Sequence, residues 1–194
     1  MTTQPADTTN PEQSSPEDER HFPEEVMWEG KFIAAKRRGR WEYVGRARGI
    51  SAAVILAIED AADGRHVILV DQYRVPLGRR CIELPAGLVG DEEAGEDPTL
   101  AAVRELEEET GYHAGSMADL GEYWSSPGMV SESFRLFRAH DLTKVGDGGG
   151  VPGEDIRVHR VALNGLAEWI AARRAEGYAM DVKLLTLLGP SLIA

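Results

Sequence analysis

The stretch between Asp97 and Gly111 restricts the fold of this chain more than any other. Asp97 is a helix-capping residue, Pro98 suits the first helical position, and Gly111 stops the helix they begin. At about 100° per residue, Glu105, Glu108 and Glu109 fall within an arc of about 100°, while Val103 and Leu106 point elsewhere. Like charges at this spacing destabilise an isolated helix by about a few tenths of a kcal/mol per pair. One answer is a solvated acidic face. The other is a hard divalent cation, because magnesium takes carboxylate oxygens and keeps waters and phosphates as its remaining ligands.

Around this helix the pattern is mostly β. Residues 51–58 form an almost unbroken apolar run, Asp60-Ala61-Ala62-Asp63-Gly64 is a turn, and residues 66–70 predict the next strand. Further strands are expected at 81–84, 117–124, 134–140 and 156–162, with helices at about 164–174 and 181–188. Residues 31–44 read as a hairpin turning at Gly39. Many strands with few helices between them predict an α+β fold, not a doubly wound parallel sheet. Residues 1–25 carry seven acids, one base and four prolines, too little apolar surface to offset ordering entropy, and are expected to be a flexible tail. The glycine-rich run 145–153 is expected to be a mobile loop between two strands.

Charge and composition exclude several classes. With 21 basic and 33 acidic side chains the net charge is −12, which argues against nonspecific nucleic-acid binding. No apolar run reaches the roughly 18 residues of a membrane span. The polar N-terminus reads against a secretory signal, so a cytoplasmic protein is expected. Cys81, the single cysteine, permits no intramolecular disulfide and no multi-cysteine zinc site. The five histidines show no metal-ligand spacing.

The flanks of the acidic helix favour the cation. Before it lies Leu84-Pro85-Ala86-Gly87, where a strand stops and a glycine lets backbone approach a ligand closely. The carbonyl of Ala86 would be a further oxygen ligand there. Arg104 can hold a neighbouring carboxylate in place.

Gly90 followed by Glu96, then Arg104-Glu105-Leu106-Glu107-Glu108-Glu109-Thr110-Gly111-Tyr112, resembles the Nudix box G-x5-E-x7-R-E-U-x-E-E-x-G-U, with U a bulky aliphatic residue. Only the last position departs, with Tyr112 in place of an aliphatic packing residue. The resemblance implies a mixed β-sheet sandwich flanked by helices, with an N-terminal antiparallel hairpin. It divides the chain into the tail (1–25), an N-terminal β arm (26–48) that can serve dimerisation, and a hydrolase domain (49–194). It also implies hydrolysis of a nucleoside diphosphate linked to another group, with Mg2+, or Mn2+ in its place, as cofactor. Carried over position by position, the metal ligands are Glu105, Glu108, Glu109 and the Ala86 carbonyl, with Arg104 and Glu96 orienting helix and loop.

Segments outside the box are similar to the ADP-ribose pyrophosphatase branch. These are Asp71-Gln72-Tyr73-Arg74, then Glu83-Leu84-Pro85-Ala86-Gly87, then Pro127 sixteen residues after Gly111, and Glu132. Arg74 and Glu83 are expected at the substrate, Arg74 because a guanidinium can grip a diphosphate with paired hydrogen bonds. Glu132 could accept hydrogen bonds from ribose hydroxyls. Trp28 and Trp41 are candidates for stacking on a base. The arm around them carries Lys31, Lys36, Arg37, Arg38, Arg40, Arg46 and Arg48, which could attract an anionic substrate or meet an acidic partner subunit. In this branch N-terminal strands exchange between subunits, which implies a homodimer. The base that takes a proton from water is expected on the loop after the glycines, at Glu154, with Asp155 as its substitute. The expected reaction converts ADP-ribose to AMP and ribose 5-phosphate. A GDP-mannose or other nucleoside diphosphate sugar hydrolase is the alternative, and a ligand-sensing domain without catalysis the third reading, although such domains commonly lose box carboxylates and none is missing here.

Overall fold

A computed structural model describes residues 15–47, 51–90 and 95–192, with side chains to residue 189. The chain forms two compact units. Among the described residues, one takes in 15–47 and Trp124–Glu132; the other comprises 51–90, 95–123 and 133–192. The first unit therefore recruits a segment that chain order alone assigns to the hydrolase domain.

In the first unit, helix α1 (Pro16–Glu19) is followed by strands β1 (Glu25–Glu29), β2 (Ile33–Arg38) and β3 (Trp41–Arg46), a three-stranded antiparallel sheet in that order. The hairpin turns where predicted, with Gly39 at φ 58°, a left-handed conformation that suits glycine. Segment 124–132 joins through Val44, whose N–H donates to the Met129 carbonyl at 2.9 Å and whose carbonyl accepts from Ser131 N–H at 2.9 Å.

The expected tail is corrected in its second half; residues 1–14 lie outside the described residues. Ser15 caps α1 and accepts from Asp18 N–H. Glu19 is only 1% exposed, and its carboxylate accepts the Arg40 N–H at 2.9 Å and pairs with Arg40 Nε at 2.9 Å. A β-carbon on Gly39 would stand 2.3 Å from that carboxylate, so the glycine is needed for the approach. Glu24 accepts from Lys36 Nζ at 2.8 Å and Tyr43 OH at 2.6 Å and pairs with Arg38 at 3.3 Å; Glu25 pairs with Arg37 at 2.7 Å. The acids of the supposed tail neutralise the bases of the arm. Low hydrophobicity predicts disorder only when charges lack partners, and here the partners stand on β2 and β3.

Among the described residues the second unit holds a mixed sheet of eight strands. Its elements are β4 (Ser51–Ala61), β5 (Gly64–Arg74), β6 (Arg79–Glu83), β7 (Ala86–Val89), α2 (Pro98–Thr110), β8 (Tyr112–Trp124), β9 (Ser133–Lys144), β10 (Arg157–Ala162), α3 (Leu166–Ala175), β11 (Ala179–Met180) and α4 (Leu185–Leu192). Their order is β11-β6-β5-β4-β9-β8, with β10 paired to β5 and β7 to β4. The β4/β9 and β11/β6 pairs are parallel; β4/β5, β5/β6, β4/β7 and β5/β10 are antiparallel. This is the expected α+β class.

Period-two alternation puts the sheet between two helical layers. From β4, Ala53, Ile55 and Ala57 pack with Ala102 and Leu106 of α2, while Val54 joins Leu166 and Ile170 of α3 and Leu184 and Leu188 on the opposite face. Burying a side chain such as Leu106 contributes about 2 kcal/mol. Of the acidic arc of α2, Glu108 stays the most exposed, while Glu105 and Glu109 turn toward the start of β7. No helix among the described residues is long and apolar enough to cross a membrane.

Candidate active site

Helix α2 begins and ends as its sequence dictates. Asp97 Oδ1 accepts the N–H groups of Thr99 at 2.8 Å and Leu100 at 3.3 Å, and Gly111 closes the helix at φ 69° with its N–H on the Glu107 carbonyl at 2.8 Å. The remaining C-terminal carbonyls are satisfied by the glycine-rich run. Gly149 N–H donates to Glu109 at 2.8 Å, Gly150 N–H to Glu108 at 2.9 Å, and Val145 N–H to Gly111 at 2.8 Å, while Lys144 Nζ donates to Thr110 at 2.7 Å. Glycine is required here because a β-carbon on Gly148 would lie 2.4 Å from the Thr110 backbone. The expected mobile loop is thus a strap on the helix end over its first half.

The three carboxylates of α2 differ in setting. Glu109, 7% exposed, accepts the Ala86 N–H at 3.0 Å. Burial, together with the nearby charges of Glu105 and Glu154, pushes its pKa up to about 8. Glu105 pairs with Arg104 at 3.0 Å and occupies the space that a Gly87 side chain would fill, since a β-carbon there would stand 1.8 Å from its carboxyl carbon. Glu108 is the more exposed and leans on Arg104 at 3.2 Å. Arg104 also donates to Glu96 at 3.3 Å, which holds that carboxyl below its ordinary pKa range, and Glu96 accepts the Gly90 N–H at 3.2 Å. Box residues 91–94 lie outside the described residues.

Arg74, at the end of β5, grips the buried Glu83 carboxylate with two hydrogen bonds, at 2.7 and 2.8 Å. Its charge favours the ionised form of Glu109, but less than burial, Glu105 and Glu154 oppose it. Glu154 acts on the same group, while its own carboxylate accepts the Val151 N–H at 2.9 Å. Asp155 is engaged elsewhere, pairing with Arg80 at 2.6 Å. Among the described residues no three acidic, histidine or cysteine side chains converge into a finished cation cage. The donors are nonetheless hard oxygens on one face, and the Gly87 recess admits the Glu105 carboxylate to the strand end, which suits a cation such as magnesium.

A family model for the NUDIX domain matches residues 48–179. The chain belongs to the Nudix family. Among its relatives is an ADP-ribose pyrophosphatase of Bacillus subtilis, 41% identical over 92 residues, 47% of this chain and 46% of that one. A GDP-mannose pyrophosphatase of Cronobacter sakazakii is 33% identical over 150 residues, 73% of this chain and 72% of that one. A solved structure described as an ADP compounds hydrolase shares the fold, with a TM-score of 0.63 at 23% identity over 88% of this chain and 91% of that one. This Nudix hydrolase keeps every acidic position of its box.

The remaining expected residues sit in the first unit. Glu132 pairs with Arg46 at 2.5 Å, and Trp28 and Trp41 are largely exposed on β1 and β3. Lys36, Arg37, Arg38, Arg40 and Arg46 are engaged with Glu24, Glu25, Glu19 and Glu132, so their charge is largely spent within the unit; Arg48 lies outside the described residues. Asp71 was legible only within the segment ending at Arg74, and its pairing with Arg80 was not, because a buried ion pair on adjacent strands leaves no spacing signal. A charged residue closing the apolar strand at Val70-Asp71 was a hint that it needs a partner.

Proposed function

We propose that the chain hydrolyses the diphosphate linkage of a nucleoside diphosphate sugar, with ADP-ribose as substrate and AMP and ribose 5-phosphate as products. The observation that carries this reading is the placement of Glu105, Glu108 and Glu109 on one helix face, with Glu105 in the space left by Gly87 and Glu109 on the Ala86 N–H at 3.0 Å. The names of relatives support the substrate class. Glu105, Glu108, Glu109 and the Ala86 carbonyl are the groups that would hold magnesium. When bound, it supplies charge neutralisation at the diphosphate.

The chain's own groups do the rest. Arg74, oriented by Glu83, offers hydrogen bonds to phosphate oxygens. Glu154 takes the proton from the attacking water as the new oxygen–phosphorus bond forms and the bridging bond breaks. Arg104 and Glu96 brace the helix. The exposed Val26, Met27, Trp28 and Phe32 around β1 support the further reading that the N-terminal sheet pairs two copies of the chain.

The GDP-mannose relative matches a larger share of this chain than the Bacillus enzyme does, which keeps GDP-mannose as the second reading. Product analysis in 18O-labelled water, with ADP-ribose and GDP-mannose compared by kcat/KM, decides between them. ADP-ribose is expected to be cleaved faster, and a higher kcat/KM for GDP-mannose overturns that choice. Glu109→Gln is expected to keep the fold and lower kcat at least ~100-fold, the scale of losing one preorganised electrostatic group. Near-normal turnover contradicts the metal assignment.

A further inference from the structure

The Asp71 carboxylate is fully buried in β5. One of its oxygens accepts from Arg80 Nε, and the other meets His159 Nε2 at 2.6 Å. Anchored in this way, Arg80 extends its guanidinium to the loop: Nη1 donates to Asp155 Oδ2 at 2.6 Å, and Nη2 donates to the carbonyls of Asp155 at 2.7 Å and Asp71 at 3.0 Å. Beside it Gln72 Nε2 donates to the Glu154 carbonyl at 3.0 Å. Asp155 itself sits at φ 51°, a conformation that a residue with a side chain keeps only where its surroundings hold it.

The other end of the loop is tied as well. Gly149 and Gly150 donate to the carbonyls of Glu109 and Glu108. Residues 151–154 are therefore a short bridge between the end of the acidic helix and the Asp71–Arg80 pair. A buried ion pair is a weak source of stability, since apolar residues of similar volume usually serve as well. Its fork geometry, by contrast, can fix a backbone in two directions at once.

We propose that Arg80, held by buried Asp71, is a positioning residue that locks the Glu154–Asp155 turn and so sets the Glu154 carboxylate for its role at the diphosphate. The inference rests on the assignment of Glu154 as the base. Arg80→Lys keeps the charge and loses the fork. Asp155→Asn tolerates the left-handed backbone and leaves the buried Asp71–Arg80 pair intact, so it folds even if the lysine variant does not.

The test compares both variants, Glu154→Gln, and each double variant with Glu154→Gln, in an ADP-ribose and magnesium assay, alongside hydrogen exchange of the peptide covering residues 145–156. Each single clamp variant is expected to lower kcat about 10-fold or more with KM within about twofold, to speed exchange in that peptide, and to add nothing further once Glu154 is Gln. A purely structural pair would instead lower kcat additively with Glu154→Gln. Unchanged exchange and kcat in both clamp variants, or additive losses, overturns the clamp. Failure of the base assignment reads differently: Glu154→Gln then turns over at the wild-type rate, which overturns the proposed link to catalysis even where exchange in the loop is faster.

Discussion

Gly87 shows how one missing side chain sets a site. Its φ is ordinary, so alanine is conformationally acceptable, yet the added β-carbon would meet the Glu105 carboxyl carbon at 1.8 Å. That carboxyl is the far end of a flexible side chain, so the clash is relieved by moving Glu105 and not the backbone. Gly87→Ala is therefore expected to change stability by less than about 1 kcal/mol while lowering kcat at least ~10-fold. Thermal unfolding and steady-state kinetics on the same preparation check both halves. Glu109 was legible as an acid on the helix face, but not its burial or its bond to the Ala86 N–H, because these depend on where β7 packs. Cys81 follows Arg79-Arg80, a setting that can lower a thiol pKa, but burial, with Glu83 and Asp181 nearby, pushes it up to about 12.

Among the elements, the N-terminal sheet depends on acids borrowed from the segment before it. The hydrogen bond from Lys36, then that from Tyr43, holds the Glu24 pKa down to about 2 from an ordinary 4.5. A carboxyl depressed on folding adds stability that is complete above its unfolded value and lost as pH falls through its folded one. The sheet is therefore expected to weaken between about pH 4.5 and about 2. Amide exchange in β2 and β3 checks this, with Glu24→Gln removing that part of the acid sensitivity; identical acid profiles for the two proteins contradict it. The elements with local signals were legible in the sequence: α2 from its cap, proline and terminal glycine, β4 and β5 from apolar runs, and the hairpin from Gly39. The start of β8 was not. Residues 112–116 include Gly115, a poor strand former, which is in place because a β-carbon there would stand 3.0 Å from Asp141. Helix α1 was missed although Ser15 and Pro16 are local start signals, because four residues show no apolar periodicity and Glu19 is held by Arg40, twenty-one residues on.

For the whole molecule, the sequence carried the family and the chemical class, since the box fixes residue types at fixed intervals along one helix. It could not show that the glycine run straps the end of that helix, because those contacts are backbone to backbone and glycine composition alone reads as looseness. Nor could it show that residues 124–132 belong with the smaller unit, where two hydrogen bonds to Val44 and the Glu132–Arg46 pair hold them. The fold thus gathers on one sheet the acidic helix, the Arg74–Glu83 pair and the loop bearing Glu154, each fixed by bonds that span long stretches of chain. Crystals soaked with manganese and a non-hydrolysable ADP-ribose analogue test this arrangement most directly. An anomalous peak bounded by Glu105 and Glu109, with the diphosphate against it, is the expected result; a peak elsewhere, with the ligand away from that helix face, contradicts the account.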